Sequence, residues 1–498
     1  MEQTVVEEKS NLKWLILLTV IVGTFLGRLD QTIVNLALPN IIDNFRITVN
    51  SAGWISTAYI LANAVFVPVW GKLGDTWGRK KVYIIGFSVF IFGSILAGFA
   101  WNLGSMIVFR VIQAIAGSAD YPTAMAIIAV TFKESKERAQ ALGIWSSSFA
   151  VAAIFGPLLG GPLIDNFGWR SVFLINLPVG LVGLFMALAF IDESVSEKRT
   201  VHFDLWGAMA LGTSLSALVL VLDKGMEWGW LSVAAAACYA TVAVAGSFFY
   251  YIEKHHEEPI VDFKFFKNGI FMKTLGNNFV VFMGMMGSIF LVPIFAQTFL
   301  GYTATKSGYL FIPMAVGMML ASPLGGMLSG KVEPRYVIGV STAVSSIGIF
   351  MLSLLDPRSG PLAIIIPMFI FAFGIGFGMA QRTNLIAASV PHDEIGVASS
   401  ILALARNIAG AFGIAIFATL LSRVMESNLL SISSASRLNV HTPQAIGQFM
   451  TLITLKAQIS AYSTVFVISS ILLLIGALIA LTIKVDKNKE LEEVFVME

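Results

Sequence analysis

Runs of apolar residues recur along the whole chain, from Trp14 to the C-terminal tail, and short polar segments separate them. A helix of about 20 apolar residues is long enough to cross the hydrocarbon core of a bilayer. The run lengths predict about fourteen transmembrane helices. These predicted spans cover residues 14–38, 51–70, 82–100, 104–130, 139–163, 170–191, 204–222, 230–252, 269–295, 305–328, 336–355, 361–385, 398–422 and 460–484. The sequence therefore predicts an all-α integral membrane protein.

Two charged linkers divide the predicted spans into groups. Residues 192–203 and 253–268 are rich in charged and polar side chains, and one pair of apolar runs lies between them. Equal numbers of spans precede and follow that pair. We therefore expect an N-terminal six-helix bundle in residues 1–200, an inserted two-helix hairpin with its linkers in 201–262, and a C-terminal six-helix bundle in 263–498.

The basic residues predict which side of the membrane holds the termini. An even number of spans places both termini on one side, and most lysines and arginines, with Arg382 counted among them, fall in the segments on that side. Cytoplasmic loops carry the excess of Lys and Arg. We therefore expect a multi-pass protein of the cytoplasmic membrane with both termini in the cytoplasm. The long polar outer segment 424–459 is expected to be partly helical.

The composition excludes several classes of protein. Hydrophobic residues make up 56% of the chain and charged residues 12%, whereas soluble domains have about 45–50% apolar and about 25% charged residues. The formal net charge of +2 gives no reason to expect a nucleic-acid partner. The single cysteine, Cys238, excludes an intrachain disulfide and disfavours a thiolate metal site. No nucleotide-binding loop of the Walker type is present, so direct ATP drive is not expected.

Five ionisable residues at membrane depth are singled out as candidates: Arg28, Asp30, Arg110, Asp120 and Arg406. Ionisable groups at membrane depth are costly and are functional candidates. Asp30 lies ~12 Å from the outer end of the first span, and Arg110 lies ~9 Å below the outer end of the fourth. We expect these two to pair, and we predict that Asp30 takes up and releases a coupling proton. A static ion pair that fixes the helix register is the alternative.

A polar stripe is predicted along the fourth span. Arg110, Gln113, Gly117, Asp120 and Tyr121 fall on one helical face, which should look into the bundle or a wet cavity.

Arg28 and Asp120 differ in depth by ~9 Å, so they could form a compensating pair. Alternatively, Arg28 binds an anionic substrate and Asp120 is a second proton site. The predicted proton-coupling residues are thus Asp30, Arg110 and Asp120. The predicted substrate cavity comprises Arg28, Gln31, Asn35, Gln113, Tyr121, Phe282, Met286, Asn384 and Arg406. The Phe and Met side chains would form a soft apolar wall, and lipid-facing or core packing is the alternative that explains them more simply.

A glycine-containing motif follows the second span, with Gly71, Asp75, Gly78, Arg79 and Lys80 at its characteristic positions. Glycines permit a tight reversal, and an aspartate can cap the next helix. A plain turn with cytoplasmic positive charges would give the same pattern.

Small residues recur every four positions in the fifth span, where Gly156 and Gly160 form one row and Pro157 and Gly161 another. This spacing lets helix backbones approach closely in lipid, and a proline can kink the span. Ordinary tight packing is the alternative.

These motifs together resemble known transporters. The 71–81 segment resembles the loop between the second and third spans of the major facilitator superfamily. Segments 29–39, 110–113, 156–161 and 169–178 resemble the fourteen-span drug:proton antiporters of the EmrB/QacA type. The resemblance implies a major facilitator fold, a loop that gates the inner face as two bundles rock, an antiporter motif at 156–161, and functional weight on the acid and the arginine of the first and fourth spans.

The resemblance also implies efflux of hydrophobic, often cationic compounds driven by proton entry. Thr76 and Ala152 depart from the family motifs, and Arg28 and Asp120 stand where family members usually carry apolar or small residues. We expect a monomeric transporter, not an enzyme, whose partners are the lipid bilayer, protons and a small-molecule substrate, with no metal or other cofactor. A narrow-specificity carrier of an anionic or zwitterionic metabolite, lipid or peptide is the alternative, and a non-transporting sensor or scaffold is a third hypothesis.

Overall fold

A computed structural model describes residues 2–132, 135–193, 204–256, 259, 261, 263–328, 331–390, 395–435 and 443–483. Within these residues all regular secondary structure is helical. The helices are α1 (Glu2–Phe45), α2 (Val49–Trp77), α3 (Arg79–Gly98), α4 (Leu103–Gly117), α5 (Asp120–Thr131), α6 (Ser135–Phe167), α7 (Ser171–Leu174), α8 (Asn176–Phe190), α9 (Leu205–Trp228), α10 (Val233–His255), a 3₁₀ helix (Phe263–Lys267), α11 (Gly269–Phe299), α12 (Ala304–Tyr309), α13 (Ile312–Gly326), α14 (Pro334–Leu352), α15 (Leu362–Ala388), α16 (Ile395–Ala435) and α17 (Pro443–Leu481).

The expected all-α membrane-spanning fold is confirmed. Twelve helical stretches in the described residues are long and apolar enough to cross a membrane. Helices α2 and α6, which are 29 and 33 residues long, occupy the places of the second and fifth predicted spans. The order of long helices therefore follows the order of apolar runs in the sequence.

The fourth span is broken, which the sequence interpretation did not foresee. Helix α4 ends at Gly117 and α5 begins at Asp120. The cause is Pro122, which has no N–H to donate to the Ser118 carbonyl and whose ring crowds the preceding turn. The predicted span over 104–130 corresponds to one membrane-length stretch, Leu103–Thr131, but its helix is interrupted at Ser118 and Ala119.

The helices form two groups, which meet through several helix pairs. In the first group α1 packs against α6 and α8, and α3 packs against α4 and α8. In the second, α15 packs against α13 and α14, and α11 packs against α16. The groups meet where α2 contacts α16, α6 contacts α12, and α1 contacts α11. We call α1–α8 the N-terminal bundle and α11–α17 the C-terminal bundle.

The inserted hairpin consists of α9 and α10. Helix α9 contacts both α2 and α16 and thus touches both bundles, and α10 packs on α9. The outer segment 424–459 is largely helical, because α16 extends to Ala435 and α17 begins at Pro443. The expectation of a partly helical segment is confirmed for its described residues.

One apolar cluster runs through both bundles and includes Leu36, Phe173, Phe290 and Phe417, each of which is buried. In lipid the attraction between such helices comes from van der Waals packing and hydrogen bonds rather than from exclusion of water. Close packing across this cluster therefore fixes the relative position of the helices that carry the polar residues described next.

Candidate transport site

Asp30 lies in the interior of the N-terminal bundle, where three side chains donate hydrogen bonds to its carboxylate. Arg110 Nη1 lies 2.6 Å from Asp30 Oδ2. Gln113 Nε2 and Asn176 Nδ2 each donate to Oδ1 over 2.9 Å. Helices α1, α4 and α8 are thus joined by a single carboxylate. The predicted pairing of Asp30 with Arg110 is confirmed.

A further layer of contacts surrounds this carboxylate. Ser94 Oγ of α3 accepts hydrogen bonds from Gln113 Nε2 over 2.5 Å and from Asn176 Nδ2 over 3.1 Å. The Arg110 guanidinium lies over the Tyr59 ring, 4.0 Å from its centroid. Asp30 and its four polar neighbours are at most 2% exposed. The network is therefore closed to water in this conformation, and the Asp30 carboxylate is paired with Arg110, although Arg110 Nε and Asn176 Oδ1 have no hydrogen-bond partner among the described residues.

The structure corrects the predicted substrate cavity at one residue and adds two residues to the predicted Asp30–Arg110 pair. Gln113 was predicted to line the substrate cavity, but it is fully buried and binds the Asp30 carboxylate. Sequence reasoning missed Ser94 and Asn176. Asn176 lies about 9 Å along the helical path that begins near residue 170, level with Arg110, so the same depth arithmetic could have found it.

Arg28 occupies the opposite face of α1 and is half-buried. Its Nη1 donates to Gln31 Oε1 over 3.2 Å. Asp120 lies within electrostatic range of Arg28, and Asp120 Oδ1 is buried without a hydrogen-bond partner. Tyr121 follows it and is exposed, with its ring 5.3 Å from that of Trp145. Arg28 and Asp120 therefore interact electrostatically, which is compatible with the compensating-pair interpretation.

The C-terminal bundle contributes Arg406. Its Nε donates to Asn278 Oδ1 over 3.0 Å, and its Nη2 donates to Thr383 Oγ1 over 3.4 Å. Its guanidinium lies 4.9 Å from the centroid of the Phe282 ring. Tyr121 lies within electrostatic range of this guanidinium as well as of Arg28, so the two bundles face each other across Tyr121.

The remaining predicted cavity residues have intermediate or high exposure. Asn35 Oδ1 accepts a hydrogen bond from Ser56 Oγ over 3.3 Å. Met286 is half-buried and lies beside Gly410 of α16, and Asn384 is exposed. With the exception of Gln113, the predicted cavity residues are therefore neither fully buried in the core nor bonded to Asp30. A separate cavity of about 850 Å³ lies between the hairpin and α2, away from these charges.

Arg382 is a second buried arginine of the C-terminal bundle. The sequence analysis counted it among the basic residues on the side of the membrane that holds the termini. It is 1% exposed and lies within α15. Its Nε donates to Asn277 Oδ1 over 2.7 Å, its Nη2 to Thr342 Oγ1 over 2.7 Å, and its Nη1 to the Ile375 carbonyl over 3.3 Å. The assignment was wrong because α15 continues to Ala388, which places Arg382 well inside the helix.

A family model for the Major Facilitator Superfamily matches residues 20–414. The chain belongs to this superfamily. It is therefore a multi-pass membrane transporter, not an enzyme, and the expected two-bundle fold is confirmed.

Relatives and a solved structure agree with this membership. The chain is similar to multidrug resistance protein Stp of Mycobacterium tuberculosis, with 31% identity over 407 residues that cover 82% of this chain and 75% of the relative. It is also similar to riboflavin transporter RibZ of Clostridioides difficile, with 29% identity over 84% of this chain and 90% of the relative. A bacterial homologue of the human lysosomal transporter Spinster, solved inward-facing and unoccupied, shares the fold with a TM-score of 0.68 and 17% identity, covering 96% of this chain and 99% of that one.

The superfamily motif after the second span is mostly helical. Helix α2 runs through Gly71 and Asp75 to Trp77, so the reversal predicted for the whole segment occurs at Gly78 alone, whose φ is 99°. That angle favours glycine because a Cβ would be strained there. The side chain of Asp75 lies outside the described residues.

The cap of α3 comes from another part of the chain. The Glu193 carboxylate accepts hydrogen bonds from the backbone N–H groups of Lys80 and Lys81 over 3.2 and 3.1 Å. Arg79 Nη1 donates to the Ala126 carbonyl over 3.3 Å, and Lys80 Nζ donates to the Leu188 carbonyl over 3.0 Å. These bonds tie the turn to the termini-side ends of α5 and α8.

The small residues of the antiporter motif lie at two helix contacts. A Cβ at Gly156 or Gly160 would overlap side chains of α1. A Cβ at Gly161 would overlap the Thr305 backbone of α12, and one at Gly308 would overlap the Pro157 carbonyl. The second contact joins the two bundles, at the helix ends away from the termini.

Asp165 strengthens the same contact. Its carboxylate accepts hydrogen bonds from the backbone N–H groups of Ala304 and Thr305 over 3.0 and 2.9 Å. Partial burial raises the pKa of Asp165, but the hydrogen bonds from Thr305 and Ala304 outweigh it, so the pKa of this carboxyl lies below its ordinary value. An ionised acid of one bundle thus caps the first turn of α12 in the other.

Other bonds join the bundles at these same ends. Gln297 Nε2 of α11 donates to the Leu36 carbonyl of α1 over 3.0 Å. Thr419 Oγ1 of α16 lies 3.1 Å from Asn50 Oδ1 of α2 and 3.3 Å from Asp223 Oδ1 of α9. The two bundles are thus hydrogen-bonded to each other at the helix ends away from the termini.

Proposed function

We propose that this protein is a proton-coupled antiporter that exports amphipathic small molecules by alternating access, and that it is of the fourteen-span EmrB/QacA type. The observation that carries the proposal is the Asp30 carboxylate, which is fully buried and bound by Arg110 and two amides. An ionisable group at membrane depth is by default a functional candidate. The order of the long helices and a relative named as a multidrug resistance protein support the efflux class.

Protonation of Asp30 would act on several helices at once. A neutral carboxyl forms weaker hydrogen bonds than a carboxylate and no ion pair with Arg110. The bonds from Gln113 and Asn176 would weaken as well, so α1 would be free to move relative to α4 and α8. Gln31 follows Asp30 directly and, with Arg28, faces the cavity. Helix α1 would therefore transmit the proton state to the substrate site.

The bundles would exchange access by rocking about the cavity, as superfamily transporters do. In the present conformation they are hydrogen-bonded to each other at the helix ends away from the termini, through Asp165 and Gln297. These contacts would break when that side opens. The turn at Gly78, with Arg79 and Lys80, would close the opposite side, which we place in the cytoplasm. We propose that Asp120 balances Arg28 in the cavity.

The proposal is tested with Asp30→Asn in proteoliposomes that carry an imposed proton gradient. Asparagine preserves the shape but cannot ionise, so uphill export of a dye should be lost while the variant still folds. Asp356→Asn, in an exposed loop, is the matched control and should export normally. Normal proton-driven export by the Asp30 variant would refute the assignment.

The second candidate is a narrow-specificity carrier of an anionic or zwitterionic metabolite, lipid or peptide. The half-buried Arg406 favours it, because its guanidinium offers positive charge to the cavity and, unlike Arg28, has no carboxylate of the described residues within electrostatic range. A relative named as a riboflavin transporter is compatible with it. Growth inhibition by cationic dyes against acidic compounds, in cells with and without the protein, separates the two candidates. Absence of any substrate-induced proton flux in vesicles would favour the sensor hypothesis instead.

A further inference from the structure

The charges of the C-terminal bundle are unbalanced at membrane depth. Within the described parts of α11–α17, Arg382 is fully buried and Arg406 is half-buried, whereas Arg423 pairs with Glu426 and Lys456 is exposed. The hydrogen-bond partners of Arg382 and Arg406 are amides, hydroxyls and a carbonyl, and no carboxylate of the described residues lies within ion-pair distance of either. A buried charge without a counter-charge is costly in free energy. An anion that approaches these arginines would therefore stabilise the bundle.

Arg406 is the arginine that an anion can reach. It is half-buried, whereas Arg382 is 1% exposed and bonded on every side. Arg406 uses Nε and Nη2 for Asn278 and Thr383, and the described residues offer no hydrogen-bond partner to its Nη1. Because three bonded or stacked neighbours hold the guanidinium in place, its remaining N–H groups have a fixed direction.

Asn278 provides an independent observation beside Arg406. Its Oδ1 accepts the Arg406 Nε bond, which turns its amide nitrogen away. That nitrogen, Nδ2, is buried and has no hydrogen-bond partner, and the residue is 1% exposed. Buried donors without acceptors are rare in folded proteins. The amide donor of Asn278 and the Nη1 group of Arg406 are thus two neighbouring donors that an anionic oxygen group can bind together.

We propose that Arg406 and Asn278 form an anion subsite of the transport cavity, which binds the acidic group of an amphipathic substrate. The group would be a carboxylate, sulfonate or phenolate, because each offers oxygen acceptors to two neighbouring donors. Phe282 and Met286 lie on the same wall and would contact the apolar part of the molecule. The inference rests on the proposed transport function and specifies its substrate class.

The N-terminal bundle does not offer an equivalent site. Its cavity arginine, Arg28, has Asp120 within electrostatic range, and the fully buried Arg110 is bonded to Asp30. Positive charge on that side is therefore already compensated. The acidic group of a substrate is expected to bind the C-terminal wall.

A matched pair of fluorescent probes tests the subsite. 1-Anilinonaphthalene-8-sulfonate and N-phenyl-1-naphthylamine share the same ring system and differ only in the sulfonate. Titrations use the full-length protein in nanodiscs, with empty nanodiscs subtracted. Arg406→Gln should weaken sulfonate binding about ten- to one-hundred-fold, the range expected for a lost charged hydrogen bond, and leave the neutral probe within about twofold.

Further variants keep the test decisive if Arg406→Gln folds poorly. Arg406→Lys retains the charge and should keep most of the preference for the sulfonate, and Asn278→Leu should lose part of it. Arg423→Gln is the matched control, because Arg423 lies further along the same helix and pairs with Glu426. Equal weakening of both probes by Arg406→Gln and by Arg406→Lys, or no weakening by either variant, would overturn the subsite.

Two further outcomes identify the source of the anion and separate this inference from the proposed function. If chloride, compared with gluconate, competes with the sulfonate in the wild type but not in Arg406→Gln, the subsite also binds an inorganic anion. If vesicles export the neutral probe in a proton-dependent manner but show no Arg406-dependent preference, the inference fails and the proposed function stands. If neither probe is exported while the binding preference holds, the proposed function fails and the subsite stands.

Discussion

The two bundles deal differently with charge inside the membrane. In the N-terminal bundle Arg110 lies 2.6 Å from a carboxylate, and Arg28 has Asp120 nearby. In the C-terminal bundle Arg382 and Arg406 bind neutral oxygens only. The first arrangement can change its charge by protonation, whereas the second holds a fixed positive charge. Proton coupling is thus expected in one half of the molecule and recognition of a substrate anion in the other.

The contrast in charge between the two bundles is tested most directly by removing one buried arginine from each bundle. Arg110→Met leaves the Asp30 carboxylate buried without a cation and should lower the free energy of unfolding by about 3–5 kcal/mol. Arg382→Met leaves only neutral acceptors without a donor and should cost about 1–3 kcal/mol. Denaturant titrations of both variants in the same detergent measure the difference.

A double variant sharpens this result. Asp30→Asn combined with Arg110→Met removes both charges, so the pair should be less destabilised than the sum of the single variants. No residue in the described C-terminal bundle should rescue Arg382→Met in this way. Equal costs for the two arginine variants would mean that Arg382 has an acidic partner after all, and the contrast between the bundles would be lost.

A second prediction concerns the contact between α6 and α12, where the bundles resemble each other. Each bundle contributes a glycine to this contact, Gly161 from α6 and Gly308 from α12. Gly161→Ala places a Cβ against the Thr305 backbone, which cannot move aside as a side chain can. Closure at this end should be disfavoured by about 1–3 kcal/mol, the usual cost of overpacking. Electron-resonance distances between spin labels on α6 and α12 should lengthen.

Gly276→Ala is the matched control for this substitution. Gly276 lies within α11, and a Cβ there would meet nothing within 4 Å. The labels should keep their wild-type separation in that variant. Identical distance distributions for the two alanine variants would show that the contact at Gly161 is not tight.

The smallest predicted effect concerns Asp165, the acid of the N-terminal bundle that binds backbone donors of the other. Asp165→Asn removes one of the two acceptors and the charge, and should cost about 1 kcal/mol of closure, as a lost helix cap does. The pKa of Asp165 in the closed state lies below its ordinary value of 3.8. Its contribution is therefore full above that value and is lost as the pH falls through the lower one.

The same spin labels measure this pH dependence. Acidification from about pH 5 to pH 3 should separate the labels in the wild type, and the Asn variant should lack this step. If both proteins respond alike over this range, another group would be responsible for the response.

The sequence was sufficient to predict the helices and the Asp30–Arg110 ion pair. Both follow from the number of residues, either in an apolar run or between a residue and the end of its span. Apolar runs set the helices, and depth along two spans placed Asp30 level with Arg110. Ser94 and Asn176 were missed because short neutral polar residues are common in membrane helices and give no warning of their partners. Their role depends on which helices are neighbours, and that is decided by packing.

Arg382 and the fourth span show two other limits of sequence reasoning. An arginine a few residues from the end of a predicted span can extend to the water or turn into the bundle. The count of lysines and arginines on each side of the membrane, which predicts the orientation, does not distinguish these two cases. Pro122 breaks its helix at Ser118–Ala119, so residues that share a face on an ideal helix are separated. Local backbone chemistry overrode the periodic pattern there.

The hairpin α9–α10 has a consequence for the speed of the whole cycle. Asp223, close to its turn, accepts a hydrogen bond from Trp54 over 2.7 Å and lies 3.3 Å from the Thr419 hydroxyl. Trp54 belongs to one half of the transporter and Thr419 to the other. The two bundles can separate at that end only after one of these hydrogen bonds breaks. The turnover rate would therefore depend partly on Asp223, which lies outside the Asp30 network and the Arg406 subsite.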